Sequence, residues 1–313
     1  MPRLRTIFFG SPEFAVPSLL RVAQDSDLVA VVTQPDRPAG RGQDLAEPAV
    51  KRAARGLSPP PPVLQPEKIR TAEFEATLRG FAADLFVVVA YGRILPQSIL
   101  DLPARGPFNV HASLLPRLRG AAPIQWSIMN GDRETGVTIM RMEAGLDTGP
   151  VAAQRATPIA DDDTTETLGR RLSLLGAELF AATLPAIGDG SIVLARQDDA
   201  AATLAPILRK EDGRLSFETT ARAVSCRARG VDPWPGATAL LDGQVVKLFG
   251  PRLLGGAGAG TPGTVVAIDA QGLSVACADG AVTFAEVQMP GRKRLPAAAV
   301  AAGRAIAVGA RFG

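Results

Sequence analysis

Residues 84–90 read DLFVVVA, a run in which every residue after Asp84 is apolar. A strand that is apolar on both faces is typical of the centre of a parallel sheet covered by helices. Around this run, strand and helix patterns alternate along the first half of the chain, which predicts an α/β domain. Further strands are predicted at 6–9, 28–33, 107–110 and 136–142, helices at 14–23, 47–55, 67–80, 123–130 and 164–187, and a Pro- and Gly-rich loop at 34–45.

The chain is predicted to contain two domains with different patterns of secondary structure. Residues 1–188 have the alternation of a Rossmann-like parallel-sheet domain, in which ligands bind beyond the carboxyl ends of the strands. Residues 189–206 lack a core-forming pattern and are interpreted as a linker. Residues 207–313 contain short strands between Asp-Gly and Gly-rich turns, which predicts a smaller C-terminal β-barrel of the oligonucleotide-binding (OB) kind. Its strands are predicted at 238–241, 245–249, 264–268, 273–276 and 282–287, after a helix at 219–229.

The charge of the chain is small but uneven. The 313 residues are 46% hydrophobic and 21% charged, with a formal net charge of +3, as in ordinary globular proteins. From residue 206 onward there are 13 Lys and Arg against 8 Asp and Glu, whereas residues 1–205 hold 21 against 23. A basic C-terminal part fits a polyanionic partner, but the same surplus also fits a solvated face, so charge alone leaves both interpretations open.

The composition predicts a cytoplasmic protein without a membrane span. Cys226 and Cys277 lie far apart and match no metal-ligand spacing, which favours a reduced compartment. Residues 1–10 carry basic residues, but their apolar run is short and leads into Gly-Ser-Pro, which is typical of a strand entering a turn rather than a signal peptide. The apolar stretches 81–91 and 297–310 fall short of about 20 apolar residues. No long apolar surface pattern is visible, so we expect a monomer.

The only histidine of the chain, His111, lies in a polar setting that indicates acyl transfer. Asn109 lies two positions earlier on a predicted strand, so its side chain is expected on the same face as that of His111. Asp147 follows in the Gly-bounded segment GLDTGP at 145–150. Transfer of an acyl group to an amine develops an oxyanion, which an amide can stabilise, and it releases a proton, which an imidazole can carry. A nearby carboxylate orients that imidazole. These three residues are therefore the predicted catalytic group.

Other chemistries are not supported by the residues. Ser113 lacks the Gly-x-Ser-x-Gly turn and neither cysteine has a partner, so direct transfer is favoured over a covalent intermediate. One histidine and scattered carboxylates give no metal-ligand spacing. Residues 10–14 lie where a dinucleotide fingerprint would begin, but they contain Pro12 and no second glycine, which argues against NAD.

Two motifs resemble the folate-dependent formyltransferase family. They are NVHASLLP at 109–116 and GLDTG at 145–149, and the resemblance extends along the whole chain. The loop TQPDRPAGRG at 33–42, with GAAPIQ at 120–125 and PWPG at 233–236, is similar to the branch of that family that acts on charged initiator tRNA. The resemblance implies transfer of the formyl group of 10-formyltetrahydrofolate to the α-amino group of methionine on initiator tRNA, for translation initiation.

The resemblance also implies residue roles. Asn109 becomes the oxyanion donor, His111 the proton-handling imidazole and Asp147 its electrostatic partner. Matching positions imply folate contacts from Ser113, Leu114, Leu115, Pro116, Val89, Tyr91 and Leu95, and tRNA contacts from Arg41, Arg37, Arg209 and Lys210.

The chain departs from the family after the linker. There the family often reads Lys-Ile-x-Lys-Glu-Asp-Gly-x-Ile-Asp-Trp, whereas residues 207–217 read ILRKEDGRLSF. Lys210 and the turn are kept, but the first lysine and the Asp-Trp ending are not. This difference weakens the expected tRNA contacts of Arg209 and Lys210.

Two alternatives stay open at the level of sequence. An N-formyltransferase acting on an amino sugar nucleotide would share the catalytic group and the folate, and would differ in the acceptor that it accepts. A nucleic-acid-binding protein without catalysis would bind tRNA without turnover, although the complete set of Asn109, His111 and Asp147 argues against it.

Overall fold

The computed structural model describes residues 3–39, 44–254, 260–303 and 305–313. The chain forms two compact units that do not follow a single cut in the sequence. The first comprises Met1–Ala121, Thr135–Thr157 and Gly169–Ala205, and the second comprises Ala122–Glu134, Pro158–Leu168 and Pro206–Gly313. The division at 1–188, 189–206 and 207–313 therefore stays a prediction about domains.

The first unit is built on a seven-stranded sheet with the order β5-β2-β1-β6-β7-β8-β9. Its strands are β1 (Arg5–Gly10), β2 (Asp27–Val32), β5 (Val63–Leu64), β6 (Leu85–Val89), β7 (Pro107–His111), β8 (Glu134–Arg141) and β9 (Val151–Pro158). The strands from β5 to β7 pair in parallel, which confirms the predicted fold class. The sheet is nevertheless mixed, because β8 pairs with β7 in the antiparallel direction. The sequence pattern identified this strand but carried no information about its direction.

The predicted loop 34–45 contains a short strand pair. Here β3 (Arg37–Ala39) pairs with β4 (Asp44–Ala46) in the antiparallel direction. Strands of three residues bounded by Pro and Gly show no alternation of apolar and polar residues, so the sequence predicted a loop. Arg41 lies outside the described residues.

The residues that the structure describes form eight α-helices, which include all six that the sequence predicts; the short helices α4 and α8 were not predicted. The eight are α1 (Val16–Asp25), α2 (Ala49–Arg55), α3 (Ala72–Gly80), α4 (Gln97–Leu100), α5 (Pro123–Met129), α6 (Thr165–Asp189), α7 (Ala221–Gly230) and α8 (Ala297–Ala302). The clearest difference is α3, which was predicted from residue 67. It begins at Ala72 because Thr71 is its N-cap, where the side-chain oxygen accepts a hydrogen bond from the Phe74 amide at 3.2 Å.

The helix α6 is the one span candidate among the residues that the structure describes, by length and apolar content. Half of its 18-residue apolar window is buried inside the protein, and the core helix of a soluble protein passes the same test. The helix is therefore weak evidence for a membrane span.

The core of the first unit surrounds β6. This strand is buried along its whole length, as the apolar run at 84–90 predicts. The Phe9 ring of β1 packs against Phe86 with centroids 5.2 Å apart and against Tyr91 at 5.6 Å. The loop after β6 is therefore attached to the core immediately beside the end of β7.

The second unit contains an antiparallel sheet with the order β10-β11-β14-β13-β12. Its strands are β10 (Thr238–Leu241), β11 (Gln244–Leu254), β12 (Val265–Asp269), β13 (Gly272–Ala276), β14 (Ala281–Gln288) and β15 (Leu295–Pro296), the last of which pairs with β14. The five strands predicted from the sequence are all present. Phe312 forms a bridge with Leu241 of β10, and Arg311 forms one with Thr264 next to β12. The last residues thus connect both edges of the sheet, as in a barrel.

Candidate active site

The strand β7 carries two of the predicted catalytic residues to the end of the sheet. Asn109 and His111 are two positions apart, so both side chains lie on the same face of the strand. Asn109 pairs with Val88 of β6 and Met140 of β8, which places its side chain in the middle of the sheet near the carboxyl ends of the parallel strands. The Asn109 side chain is partly exposed and has no hydrogen bond to the residues that the structure describes. Its amide is available to a ligand.

The imidazole of His111 is held between a backbone carbonyl and a carboxylate. The residue is 6% exposed, and its Nε2 lies 3.0 Å from the carbonyl oxygen of Leu118. A carbonyl only accepts, so Nε2 carries the proton of this hydrogen bond. Nδ1 then faces Oδ2 of Asp147 at 3.6 Å. The nitrogen that can exchange a proton on this side of the ring is Nδ1.

Asp147 reaches the ring because its own backbone is bent. Its φ is 52°, in the left-handed region that non-glycine residues rarely adopt. Its Oδ2 accepts a hydrogen bond from the Gly120 amide at 2.9 Å. Gly120 has a φ of 122°, and a Cβ there would lie 2.7 Å from the Ala205 carbonyl oxygen. The left-handed φ and the close Ala205 carbonyl therefore require glycine at position 120.

The structure therefore brings His111 and Asp147 together and places Asn109 on the same face of the strand. A neutral amide, an imidazole and a carboxylate around one strand end can stabilise an oxyanion and accept a proton from an amine. These are the requirements for moving an acyl group between two nitrogens. The sequence did not identify Gly120 as a partner of Asp147, since the two residues are far apart in the chain.

The segment 113–116 is mostly buried and hydrogen-bonded within the protein. Ser113 is fully buried, and its hydroxyl donates to the Arg117 carbonyl at 2.6 Å. Thr138 of β8 donates to the Ser113 carbonyl at 2.7 Å and accepts from the Leu115 amide at 3.1 Å. Leu115 is buried, whereas Leu114 and Pro116 are partly exposed. Of the predicted folate contacts in this segment, only those two present side-chain surface.

The three other predicted folate residues also belong to the core. Val89, Tyr91 and Leu95 are 0%, 2% and 3% exposed. Burial raises the pKa of Tyr91 to about 12, so its hydroxyl stays protonated at neutral pH. A ligand beside this loop would meet the exposed residues Ala90 and Gly92 instead. The folate assignments of Val89, Tyr91 and Leu95 remain predictions, and all three residues are buried in the structure.

The base of the 34–45 loop is fixed by polar contacts that the sequence did not reveal. The Gln34 side chain donates to the Tyr91 carbonyl at 3.0 Å and accepts from Arg93 Nε at 3.0 Å. Asp36 pairs with Lys51 of α2 at 2.6 Å. The hydrogen bond from Lys51, with a smaller one from Gln65, lowers the pKa of Asp36. These contacts hold Gln34 and Asp36, at the start of the predicted loop, in place.

The predicted tRNA residues that the structure describes are all exposed. Arg37 is the first residue of β3 in the first unit, and Arg209 and Lys210 lie in the second unit. The backbone amide of Arg209 donates to the Asp212 carboxylate at 2.6 Å. Exposed cations are suitable for phosphate contacts, but their roles stay predictions.

The part of the chain that the structure describes holds no group of three or more His, Cys, Asp or Glu side chains that could bind a metal ion. The predicted independence from metals is not tested by this observation.

Comparison with protein families gives two matches that together span most of the chain. Residues 4–184 match the family described as formyl transferase, and residues 207–305 match the formyl transferase C-terminal domain.

Similar proteins extend over the full length. A methionyl-tRNA formyltransferase of Geotalea uraniireducens (strain Rf4) is 47% identical over 316 residues, covering 100% of this chain and 99% of that protein. One from Geotalea daltonii (strain DSM 22248 / JCM 15807 / FRC-32) is 48% identical over 99% of this chain and 98% of its own length. One from Sorangium cellulosum (strain So ce56) is 47% identical over 99% of this chain and 100% of its own length.

Solved structures with a similar fold are more distant in sequence. HypX from Aquifex aeolicus in complex with tetrahydrofolic acid has a TM-score of 0.64 and 19% identity, covering 95% of this chain and 47% of HypX. An N-formyltransferase from Helicobacter canadensis, solved with folinic acid and dTDP-3-aminofucose, has a TM-score of 0.67 and 17% identity, covering 93% and 100%. At these identities the likeness concerns the fold alone.

Proposed function

This chain belongs to the formyl transferase family, and we propose that it transfers the formyl group of 10-formyltetrahydrofolate to the α-amino group of methionyl initiator tRNA. The product, N-formylmethionyl-tRNA, serves translation initiation. The observation that carries this proposal is the identity of 47% over the whole chain to proteins named methionyl-tRNA formyltransferase. The N-formyltransferase of Helicobacter canadensis that was solved with dTDP-3-aminofucose, at 17% identity, shares the fold only.

The reaction moves one carbon between two nitrogens. As co-substrate, 10-formyltetrahydrofolate supplies a formyl group bound to a folate nitrogen. The amine of methionine forms a bond to the formyl carbon, the carbonyl oxygen becomes an oxyanion, and the bond from that carbon to the folate nitrogen then breaks. The attacking amine loses one proton and the leaving folate nitrogen gains one. No redox partner and no enzyme-bound acyl group are needed.

Asn109 is proposed to stabilise the oxyanion. Its side chain is the partly exposed amide on the His111 side of β7 that has no hydrogen bond within the described residues. An N–H donor fixed by a strand costs little reorganisation during the reaction, which is what makes such a donor effective.

His111 and Asp147 are proposed to manage the proton. The Nε2–H of His111 is used by the Leu118 carbonyl, so the proton of the amine is accepted on the side where Nδ1 and the Asp147 carboxylate face each other. An imidazolium formed there would lie 3.6 Å from Oδ2 of Asp147, a distance at which opposite charges attract. Asp147 thereby stabilises the charged ring as the reaction proceeds.

The loop after β6 is proposed to contact the flat heterocycle of the folate. The Val88↔Asn109 pairing places the loop after β6 next to the end of β7. Ala90 and Gly92 are exposed there, and a Cβ built on Gly92 would meet nothing within 4 Å. Backbone N–H and C=O groups in such a loop can pair with the donors and acceptors along the edge of a pterin. Leu114 and Pro116 add partly exposed apolar surface.

Arg41 is the leading candidate for a tRNA contact. We expect Arg41→Ala to raise KM for charged tRNA by about tenfold, which is the effect of losing one charge-assisted hydrogen bond. The KM of the variant for charged tRNA should also depend less on the salt concentration. The KM for folate should not change. Steady-state kinetics at two salt concentrations measure both constants. Arg21→Ala is the control, since Arg21 is an exposed arginine whose partner is Asp25 on the same helix. Equal damage to folate binding would contradict the assignment.

The acceptor determines the function, so the experiment varies the acceptor. The protein is incubated with 10-formyltetrahydrofolate and either methionyl initiator tRNA, the same tRNA uncharged, or an amino sugar nucleotide. Formyl transfer to the charged tRNA alone is the expected result. Transfer to the amino sugar would support the alternative acceptor, and tRNA binding without transfer to any acceptor would refute catalysis.

The remaining properties of the protein follow as proposals. We infer a cytoplasmic monomer that works without NAD and without a bound metal. Two isolated cysteines and a reaction that needs neither hydride transfer nor a Lewis acid support this inference.

A further inference from the structure

Residues 195–205, interpreted from the sequence as part of a linker, are bonded along the active site in the first unit. Ala195 forms a bridge with Val151, and Leu204 forms one with Arg119. The Thr203 hydroxyl accepts a hydrogen bond from the Leu118 amide at 2.9 Å. Leu118 is the residue whose carbonyl holds His111. This segment is therefore part of the structure that surrounds the catalytic group.

Gln197 makes the most informative contacts of this segment. Its amide nitrogen donates to the carbonyl oxygens of Asp147 at 2.8 Å and Gly149 at 2.7 Å. Its amide oxygen accepts from Arg119, from Nε at 3.0 Å and from Nη2 at 2.8 Å. Both N–H groups and both lone pairs of one side chain are used. A side chain with all four hydrogen bonds satisfied has one defined orientation.

The contact to Asp147 falls on a backbone that needs support. Asp147 has a φ of 52°, and a left-handed non-glycine residue persists only where its surroundings hold it. Gln197 holds the carbonyl of this residue and Gly120 holds its carboxylate. Together they fix both ends of the residue that faces His111.

Arg119 connects this support to the histidine. Its side chain is 8% exposed and also pairs with Asp199 at 2.7 Å. Its chain neighbours are Leu118, which accepts from His111, and Gly120, which donates to Asp147. The bond between Gln197 and Arg119 therefore ties together the two loops that hold the His111–Asp147 pair.

We propose that Gln197 is a positioning residue for formyl transfer, because it fixes the left-handed backbone of Asp147 and ties it through Arg119 to the loop that holds His111. The inference rests on the proposed function. Gln197 itself does not contact the reacting atoms. It acts through the distance and direction between the Asp147 carboxylate and the imidazole, so its loss should affect turnover more than substrate binding.

The test compares Gln197→Leu, Gln197→Glu and the control Asp198→Ala. Leucine keeps the size of the side chain but removes all four hydrogen bonds. Glutamate keeps an acceptor for Arg119 but removes the donor to the two carbonyls. The control removes a hydrogen bond of the same segment, from the Ala200 amide to Asp198 at 3.0 Å, which does not involve Asp147.

We expect both Gln197 variants to lower kcat by about 100-fold, the cost of misplacing a catalytic group by about 1 Å, with KM for both substrates nearly unchanged. Asp198→Ala should behave as the wild type. Thermal unfolding of each variant checks the fold, and if the leucine variant does not fold, the glutamate variant provides the measurement.

A second readout does not depend on activity. His111 is the only histidine, so the imidazole signals in proton–nitrogen NMR spectra belong to it without assignment. These signals should shift in both Gln197 variants and not in Asp198→Ala. Unchanged signals with wild-type kcat in the folded Gln197 variants would overturn the proposal, and so would an equal loss of kcat in the control. If the wild-type protein does not formylate methionyl-tRNA, but the imidazole signals still shift in the Gln197 variants, only the proposed function is refuted.

Discussion

At the scale of single residues, hydrogen bonds decide which polar side chains near the site are available to a substrate. His111 has two ring nitrogens, and the carbonyl of Leu118 engages one of them. Ser113, which follows the histidine closely, has its hydroxyl bonded to a backbone carbonyl. Asn109 retains a partly exposed amide with no hydrogen bond inside the described part of the chain. Residue type permits each of these side chains to do chemistry, but the hydrogen-bond partners decide which one is available.

Asn109 gives the most direct prediction at this scale. Replacing it with alanine should lower kcat for formyl transfer by about 10²–10³, because the oxyanion loses its fixed donor. The free energy of unfolding should change little, since the amide makes no hydrogen bond to the described residues. Single-turnover kinetics and urea unfolding measure the two effects. Asn130→Ala, which removes an exposed asparagine after α5, is the control. Near-wild-type turnover of the Asn109 variant would exclude the amide from the mechanism.

At the scale of elements, helix α2 anchors Asp36, at the start of the predicted loop 34–45 that carries the proposed tRNA contact. Lys51 is buried on this helix and pairs with Asp36 at 2.6 Å and with Glu47 at 3.1 Å. The hydrogen bond from Lys51 is the main cause of the lowered pKa of both carboxyl groups. Hydrogen bonding to Asp36, opposed by burial, raises the pKa of Lys51. The cluster is a structural support for the loop.

The lowered pKa values predict how this support depends on pH. The carboxyl groups contribute stability above their ordinary pKa values of 3.8 and 4.5, and this contribution is lost as the pH falls through the lowered values in the folded state. Lys51→Met should therefore be less stable than the wild type at neutral pH, and the difference should shrink in acid. Urea unfolding at several pH values measures it. Lys68→Met, at an exposed lysine, should show no such trend. A constant difference across pH would show that the pairing contributes nothing.

At the scale of the whole molecule, each unit has its own core, and the second is completed by the last residues of the chain. Phe312 is buried against Phe217, with ring centroids 5.9 Å apart, and residues 309–313 bond to segments at both edges of the sheet. Both cysteines are buried in this unit. Burial, with a smaller effect from Asp279, raises the pKa of Cys277 to about 11.

The cysteines therefore report on unfolding of the second unit. We expect neither thiol to react with a disulfide reagent at about pH 8 in the native protein, because reaction needs an accessible thiolate. Both should react once urea unfolds the chain. Absorbance at the reagent's wavelength, followed against urea concentration, measures the effect. Val193→Cys introduces a thiol at a residue that is 81% exposed and should react at once. Rapid labelling of the unmodified protein would contradict the burial of the two thiols.

The sequence alone determined most of the elements and the candidate residues of this protein. The run at 84–90, the parity of Asn109 and His111, and the Asp-Gly turns of the C-terminal part are local patterns, and local patterns follow from the periods of strands and turns. The structure confirms the α/β fold with its antiparallel second sheet and contains all five strands predicted for that sheet. Short strands such as β3, the longer strand β9 and the direction of β8 were not predicted, because none of them leaves a periodic signal in the sequence.

Only the tertiary structure decided which residues support the site. Gln197 follows Asp147 by 50 positions in the sequence and was predicted to lie in a linker, yet the fold joins the two residues by a hydrogen bond of 2.8 Å. The same holds for the Gly120 amide on Asp147 and for the burial of Ser113 and Tyr91 among the predicted folate residues. Such contacts depend on how distant segments pack. Many residues together determine this packing, so no local sequence pattern predicts it.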